Sequence, residues 1–199
     1  MSSVVGCLKA GILLTVVSCS GGHLLGGRVF SAETAPRAAC VASAYHEFDF
    51  WVGDWDAFEV AGTTPVARVR VDLILDGCVL REDYQGTDGH KGQSFSIYDA
   101  SRKVWHQSWV TNRGELLIIE GNRQGGEMVL SGADHTVSGA ERHVRGTWKP
   151  EDGGVRETAV TSTDGGKTWN QWFDLMFRKH KPDSRRLEFC PQPEGGVSR

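Results

Sequence analysis

The sequence is poor in the patterns that announce catalysis or metal binding. It has no CxxC pair and no histidine at metal-finger spacing, and neither HxH nor HExxH occurs. A zinc finger, a zincin site and a thioredoxin-like redox motif are therefore not expected. No GxSxG elbow marks a hydrolase nucleophile. No apolar run is long enough to span a bilayer, no internal repeat is visible, and no segment carries a convincing helical period. Positive charge is also short. The formal charge is −3, and it becomes −5 once residues 1–32, which hold Lys9 and Arg28 but no acid, are set aside. A mildly acidic body does not suit a phosphate backbone, so nucleic acid is not an expected partner.

What the chain has in quantity is glycine, 25 residues, and tryptophan, seven of 199. Many turns and an aromatic, sheet-rich core use that combination. The densest stretch is FDFWVGDWDAF at 48–58, with five aromatics in eleven residues, read here as a first strand. From Pro65 the pattern is apolar/polar alternation broken by turn residues. Ala67, Val69, Val71, Leu73 and Leu75 alternate with Arg68, Arg70 and Asp72. Further strands follow near 78–85, 93–99, 103–111, 115–121, 127–131, 142–149, 155–162 and 167–178. Asp76-Gly77, Asp88-Gly89, Gly125-Gly126, Asp152-Gly153 and Asp164-Gly165 punctuate them. About ten short strands with short connections leave no room for parallel crossovers. They must close or stack to protect their edges. The expected fold is all-β: a closed antiparallel up-and-down barrel of about ten strands over 47–180, with a two-sheet sandwich as the alternative.

The ends read differently. Behind Lys9 lies the apolar run Ala10–Val17, the length of a signal-peptide core. Val16–Cys19 resembles a bacterial lipobox, which makes Cys19 a lipidation candidate; simple cleavage, for example after Ser31, is the other route. Residues 1–32 are thus signal peptide and the start of a tether, 33–46 a linker rich in small residues, and 181–199 a disordered tail. The expected address is the periplasm or cell envelope, or secretion, with membrane contact only through a lipid anchor. Cys40 precedes the first strand and Cys190 follows the last. A barrel brings its ends together, so a Cys40–Cys190 disulfide is expected in an oxidising compartment.

Ser162–Trp169 fits the Asp-box pattern SxDxGxTW, in which the aspartate bonds turn amides and the tryptophan packs beneath. One box makes no propeller and no glycosidase, so its role is structural. Gly53-Asp54-Trp55 is similar to the GxW of lipocalins. With Phe48–Asp56, Gly77–Leu80, Tyr98-Asp99, Trp105–Trp109 and Asp164–Trp169 in this order, the span 47–180 resembles a family of uncharacterised bacterial calycin-like (lipocalin/nitrobindin-like) β-barrel domains. That resemblance implies the barrel and no activity. Nitrobindin-type barrels hold haem through a late-strand histidine; here 167–178 contains none, His180 falls beyond it, and His143 is the one late strand-borne histidine. No cofactor and no metal is expected.

If the more apolar face of each strand points inward, the interior receives Glu82 and Tyr84, then Trp105, Gln107 and Trp109, then Glu157, and finally Trp169, Gln171 and Phe173. The strand at 93–99 is undecided between Ser94/Ser96/Tyr98 and Phe95/Ile97. Each of four strands thus puts one polar group, Glu82, Gln107, Glu157 or Gln171, on its apolar face, where it must be paired or meet a wet cavity. Such a lining, with Tyr98, describes a site for a small apolar or amphipathic molecule. Two other readings stand beside it. One is an isomerase, cyclase or hydratase with Glu82 as acid or base, the best catalytic candidate. The other is a structural envelope module with a filled barrel.

Overall fold

The structure is a computed structural model that describes residues 39–136 and 138–182. Ten antiparallel strands form one closed sheet. They are β1 (Gly53–Glu59), β2 (Ala67–Ile74), β3 (Val79–Gly86), β4 (Lys91–Asp99), β5 (Val104–Thr111), β6 (Leu116–Gln124), β7 (Glu127–His135), β8 (Glu141–Glu151), β9 (Gly154–Ser162) and β10 (Asn170–Lys179). Each pairs with its neighbours in sequence, and β1 closes on β10 with Ala57 opposite Phe177. This is the up-and-down barrel that the alternation and the turn spacing dictate. The two-sheet sandwich is excluded. The hairpins turn where the sequence supplies positive φ: Gly125 and Gly126 both adopt it, as do Asp152 and Gly153. That is the two-residue turn whose twist matches the flanking strands.

The sequence reading of 48–58 as a single strand is corrected. Only Gly53–Glu59 is strand. Ahead of it lie two single-turn 3-10 helices, Ser43–His46 and Asp49–Trp51. The backbone N–H of Trp51 donates to the Phe48 carbonyl, and that of Val52 to the Asp49 carbonyl. Coiling here, in place of extending, puts Phe48 and Trp51 three residues apart on one side, and the barrel closes around both. Phe48 stacks on Trp51 at 5.2 Å and meets Trp105 and Trp148 edge-on at 5.7 and 5.4 Å. Trp51 in turn meets Phe177 at 6.3 Å, and the Trp55 indole N–H donates to the Trp51 carbonyl at 3.0 Å. All six rings are buried. They make the floor.

Cys40 bonds Cys78, not Cys190. The expected pairing assumed that the chain ends meet each other. Instead the segment before β1 runs beneath the floor to the β2–β3 turn, with Tyr45 edge-on to Tyr98 at 5.3 Å on the way. Cys190, the lipidation candidate Cys19, the leader and the tail from 183 lie outside the described residues.

A bulge in β10 has the largest consequence for the interior. Gln171 pairs with Val160, yet Phe173 pairs with Ala159, so the register slips by one residue at Trp172. An extra residue in one strand reverses the facing of everything on one side of it. Phe173, Leu175 and Phe177 therefore point inward, while Gln171 points out.

Candidate lumen site

Above the floor, the inner face of each strand is fixed by register. The β3 side chains Leu80, Glu82 and Tyr84 sit beside Ser96, Ser94 and Gly92 of β4. The β4 residues sit in turn beside Gln107, Trp109 and Thr111 of β5. The undecided strand β4 thus resolves against simple patterning. Ser94 and Ser96 are buried at 1% and 0% exposure, whereas Phe95 and Ile97 are 39% and 38% exposed on the outer wall. A strand that sends its hydroxyls inward and its apolar side chains to solvent breaks the rule that builds cores, and such breaks concentrate at functional sites.

The reason is local. Gly92, Ser94 and Ser96 are the small inner residues on which the larger neighbours rest. A Cβ on Gly92 would lie 2.3 Å from the Trp109 indole, so that ring lies flat against the sheet at the glycine. Trp148 does the same over Gly146, where a Cβ would be 2.8 Å from its ring. Both rings therefore lie against the wall of the barrel. Eight strands already enclose room for packed side chains or one small ligand, and ten enclose more. Tyr84, Trp109, Leu117, Phe173 and Leu175 are accordingly only half-buried although they face inward.

Two polar clusters are set in this lining. Ser94 Oγ donates to Glu82 Oε2 at 2.8 Å, and Gln107 Nε2 donates to Ser96 Oγ at 3.0 Å; all four residues are buried. Glu157 faces them from β9, between Trp148 of β8 and Leu175 of β10. Burial pushes the Glu82 carboxyl up to about 7 against the Ser94 hydrogen bond, which pulls the other way. Glu157 is raised well above the usual carboxylate range, first by burial and then by the charge of Glu82. Both carboxylates also act on the Tyr84 hydroxyl, which burial holds above its ordinary value. The three groups therefore share one space. The Trp148 indole favours the Glu157 charge without closing a hydrogen bond to it, and its buried N–H has no partner. The Trp105 indole N–H is likewise buried and unpartnered. Glu157 is enclosed by the barrel yet keeps some accessible surface. Enclosure with residual accessibility is what a side chain on an internal space shows.

Of the sequence-derived lining, Glu82, Tyr84, Tyr98, Trp105, Gln107, Trp109, Glu157 and Phe173 lie on the inner face. They do not form one surface. Trp105 and Tyr98 join the floor, their rings 6.0 Å apart, and the others ring the space above. Trp169 and Gln171 are corrections. The bulge carries Gln171 outward, where its side-chain N–H donates to the Phe173 carbonyl. Trp169 lies on the outer wall under Arg145, whose guanidinium is 4.3 Å from the ring centroid, and its indole N–H donates to the Gly166 carbonyl. There it completes the Asp-box turn, in which Asp164 accepts from the Lys167 and Thr168 backbone N–H groups and the Thr168 hydroxyl. Residues absent from the sequence reading are Trp148 and the floor pair Phe48 and Trp51. The GxW spacing of Gly146 and Trp148 repeats that of Gly53 and Trp55 and was the available signal. His143 belongs to the outward series of β8, beside Glu141, and His180 bonds Asp56 at the foot of β1. Among the described residues, no group of three or more His, Cys, Asp or Glu side chains is placed to hold a metal ion.

Fold and lumen together define a class: a floor-plugged, ten-stranded up-and-down barrel with an aromatic interior and two buried carboxyls. No protein-family model matches the chain, and no curated protein matches it.

Proposed function

We propose that the chain is a calycin-like carrier that holds a small apolar or amphipathic molecule in the lumen of its barrel. The observation that carries this is the inversion of β4. Ser94 and Ser96 are kept inside, bonded to Glu82 and Gln107, while Phe95 and Ile97 stand in solvent. A barrel that only had to fill itself gains more by turning Phe95 and Ile97 inward, since each buried side chain of that size contributes about 1.5–3 kcal/mol. Tyr84, Trp109, Leu117, Phe173 and Leu175 supply the apolar wall, and Glu82, Gln107 and Glu157 the few orienting groups of a small-ligand site. Export to the cell envelope or beyond belongs to the same proposal. It is supported by the leader-like residues 1–32 and by a disulfide, which persists in oxidising compartments.

The test is titration with the fluorescent apolar probe N-phenyl-1-naphthylamine, with Leu117→Arg and Phe173→Arg as blocked lumens. The proposal expects saturable binding near one probe per chain that both substitutions abolish. Probe emission that never saturates, or that survives both blocked lumens, contradicts it.

One observation favours a second reading. A buried carboxyl near 7, facing another that burial also raises, is the pairing of a general base with a general acid. Acid–base isomerisation, cyclisation or hydration of the bound molecule would then use Glu82 as base.

A further inference from the structure

Two sets of carboxylates in this protein stand in contrast. On the outer wall and at the rims, Asp54, Asp72, Asp88, Asp99, Asp134, Asp174 and Glu120 each meet an arginine. In the lumen, Glu82 and Glu157 meet none. Among the described residues, no lysine, arginine or histidine lies within ion-pair reach of either one, and the charges that act on them are all negative. A like-charged buried pair is unfavourable unless a proton or a counter-cation neutralises it. A fold that had only to be stable would place a hydrophobic pair there.

The surroundings favour a cation as the missing partner. Tyr84, Trp109 and Trp148 lie on the inner face above the floor, and aromatic faces attract ammonium groups most strongly where water is excluded. Ser94 and Gln107 offer further oxygens at the same level. The Trp148 indole N–H is 2% exposed, unpartnered, and directed at Glu157. Glu157 becomes a stronger acceptor for it as a carboxylate, the form a bound cation favours. The net negative charge of the chain also steers cations inward.

Building on the carrier reading, we infer that the ligand is an amphipathic amine. Its ammonium group is held by Glu82 and Glu157 among the indoles, and its apolar body lies against Tyr84, Trp109, Leu117 and Phe173. Binding moves protons. Burial raises both carboxyls, and an ammonium group beside them favours their ionised forms, so amine binding at neutral pH releases protons to the buffer.

Isothermal titration calorimetry of the full chain at pH 7 tests this with three probes of one shape: 2-phenylethylamine, neutral 2-phenylethanol and anionic 3-phenylpropionate. Repeating the amine titration in buffers of different ionisation enthalpy counts the protons. The amine should bind at least about tenfold tighter than the alcohol, with proton release, and the acid should bind weakest. Glu82→Gln and Glu157→Gln should each remove the preference for amine over alcohol. Equal affinity for amine and alcohol, amine binding without proton release, or a preference that survives both substitutions overturns the inference and leaves the carrier reading standing. If none of the three probes binds, the inference falls, and saturable binding of N-phenyl-1-naphthylamine decides the carrier reading separately.

Discussion

Raising the pH should loosen this barrel over a range in which most proteins change little, and the lumen carboxyls set the size of the effect. Glu82 goes from 4.5 as an ordinary glutamate to about 7 in the folded chain. A carboxyl raised by folding contributes no penalty while both states are protonated, below its unfolded value. As pH climbs from 4.5 through 7, the unfolded state gives up the proton more readily, and stability falls. Each tenfold difference in proton affinity between the folded and unfolded chain is worth about 1.4 kcal/mol, so Glu82 alone removes about 3 kcal/mol by pH 8, most of it above pH 5. Glu157, raised by burial and then by the charge of Glu82, adds loss of the same sign that begins over the same range and continues up through its own raised value. The surface carboxylates act oppositely but elsewhere. Asp99 and Asp164, held low by their hydrogen bonds, lose their contribution only in more acidic solution. Urea unfolding between pH 5 and 8, followed by tryptophan emission, should show stability falling by about 2–3 kcal/mol or more. In Glu82→Gln the part of that slope due to Glu82 should vanish, while the part due to Glu157, which is raised first by burial, remains. Stability that is flat or rising across this range, or a slope unchanged by Glu82→Gln, would refute the placement of both carboxyls in a dry interior.

Three further outcomes follow from the same geometry. Gly92→Ala drives a methyl into the Trp109 ring; it should cost about 1–3 kcal/mol as overpacking and weaken probe binding by tilting the indole into the lumen, read by denaturation and titration together. Replacing both Cys40 and Cys78 by serine removes a link across 38 residues of sequence; loop closure of that length is worth about 4 kcal/mol as an upper figure, seen as a lower urea midpoint with lumen binding retained under native conditions. Asp164→Ala strips four hydrogen bonds from the Asp-box turn and should cost about 1–3 kcal/mol without changing probe affinity, since Trp169 lies outside the barrel.

The barrel was legible because ten alternating runs with Gly, Asn or Asp turns admit little else, and because turn residues state their own geometry. Facing was legible only where the alternation is strong. Val69 and Val71 could be placed from composition, but β4 could not, since its serines and its Phe95/Ile97 face compete and only register against Glu82, Gln107 and Trp109 decides. Gln171 and Trp169 failed for a different reason. A single bulged residue leaves no mark in the alternation of a strand with apolar side chains on both faces, such as Trp172, Phe173, Leu175 and Met176. The 3-10 plug was missed because FDFW fits a strand as well as a turn. Its coiling is rewarded only by the floor contacts of Phe48 with Trp105 and Trp148, which are far away in sequence. The Cys40–Cys78 link depended on that same path.

The seven indole N–H resonances give the most direct test of a ligand-holding lumen, because the barrel divides them. Trp105, Trp109 and Trp148 face the interior, whereas Trp169 stands on the outer wall and the 46%-exposed Trp172 lies against Arg142 at the rim. In proton–nitrogen correlation spectra recorded during titration with 2-phenylethylamine and, separately, N-phenyl-1-naphthylamine, a ligand-holding lumen predicts saturable movement of the Trp109 and Trp148 signals with at least one of the two. Trp169 should stay still. Movement confined to the outer indoles, or none at saturating concentrations of both, would contradict it.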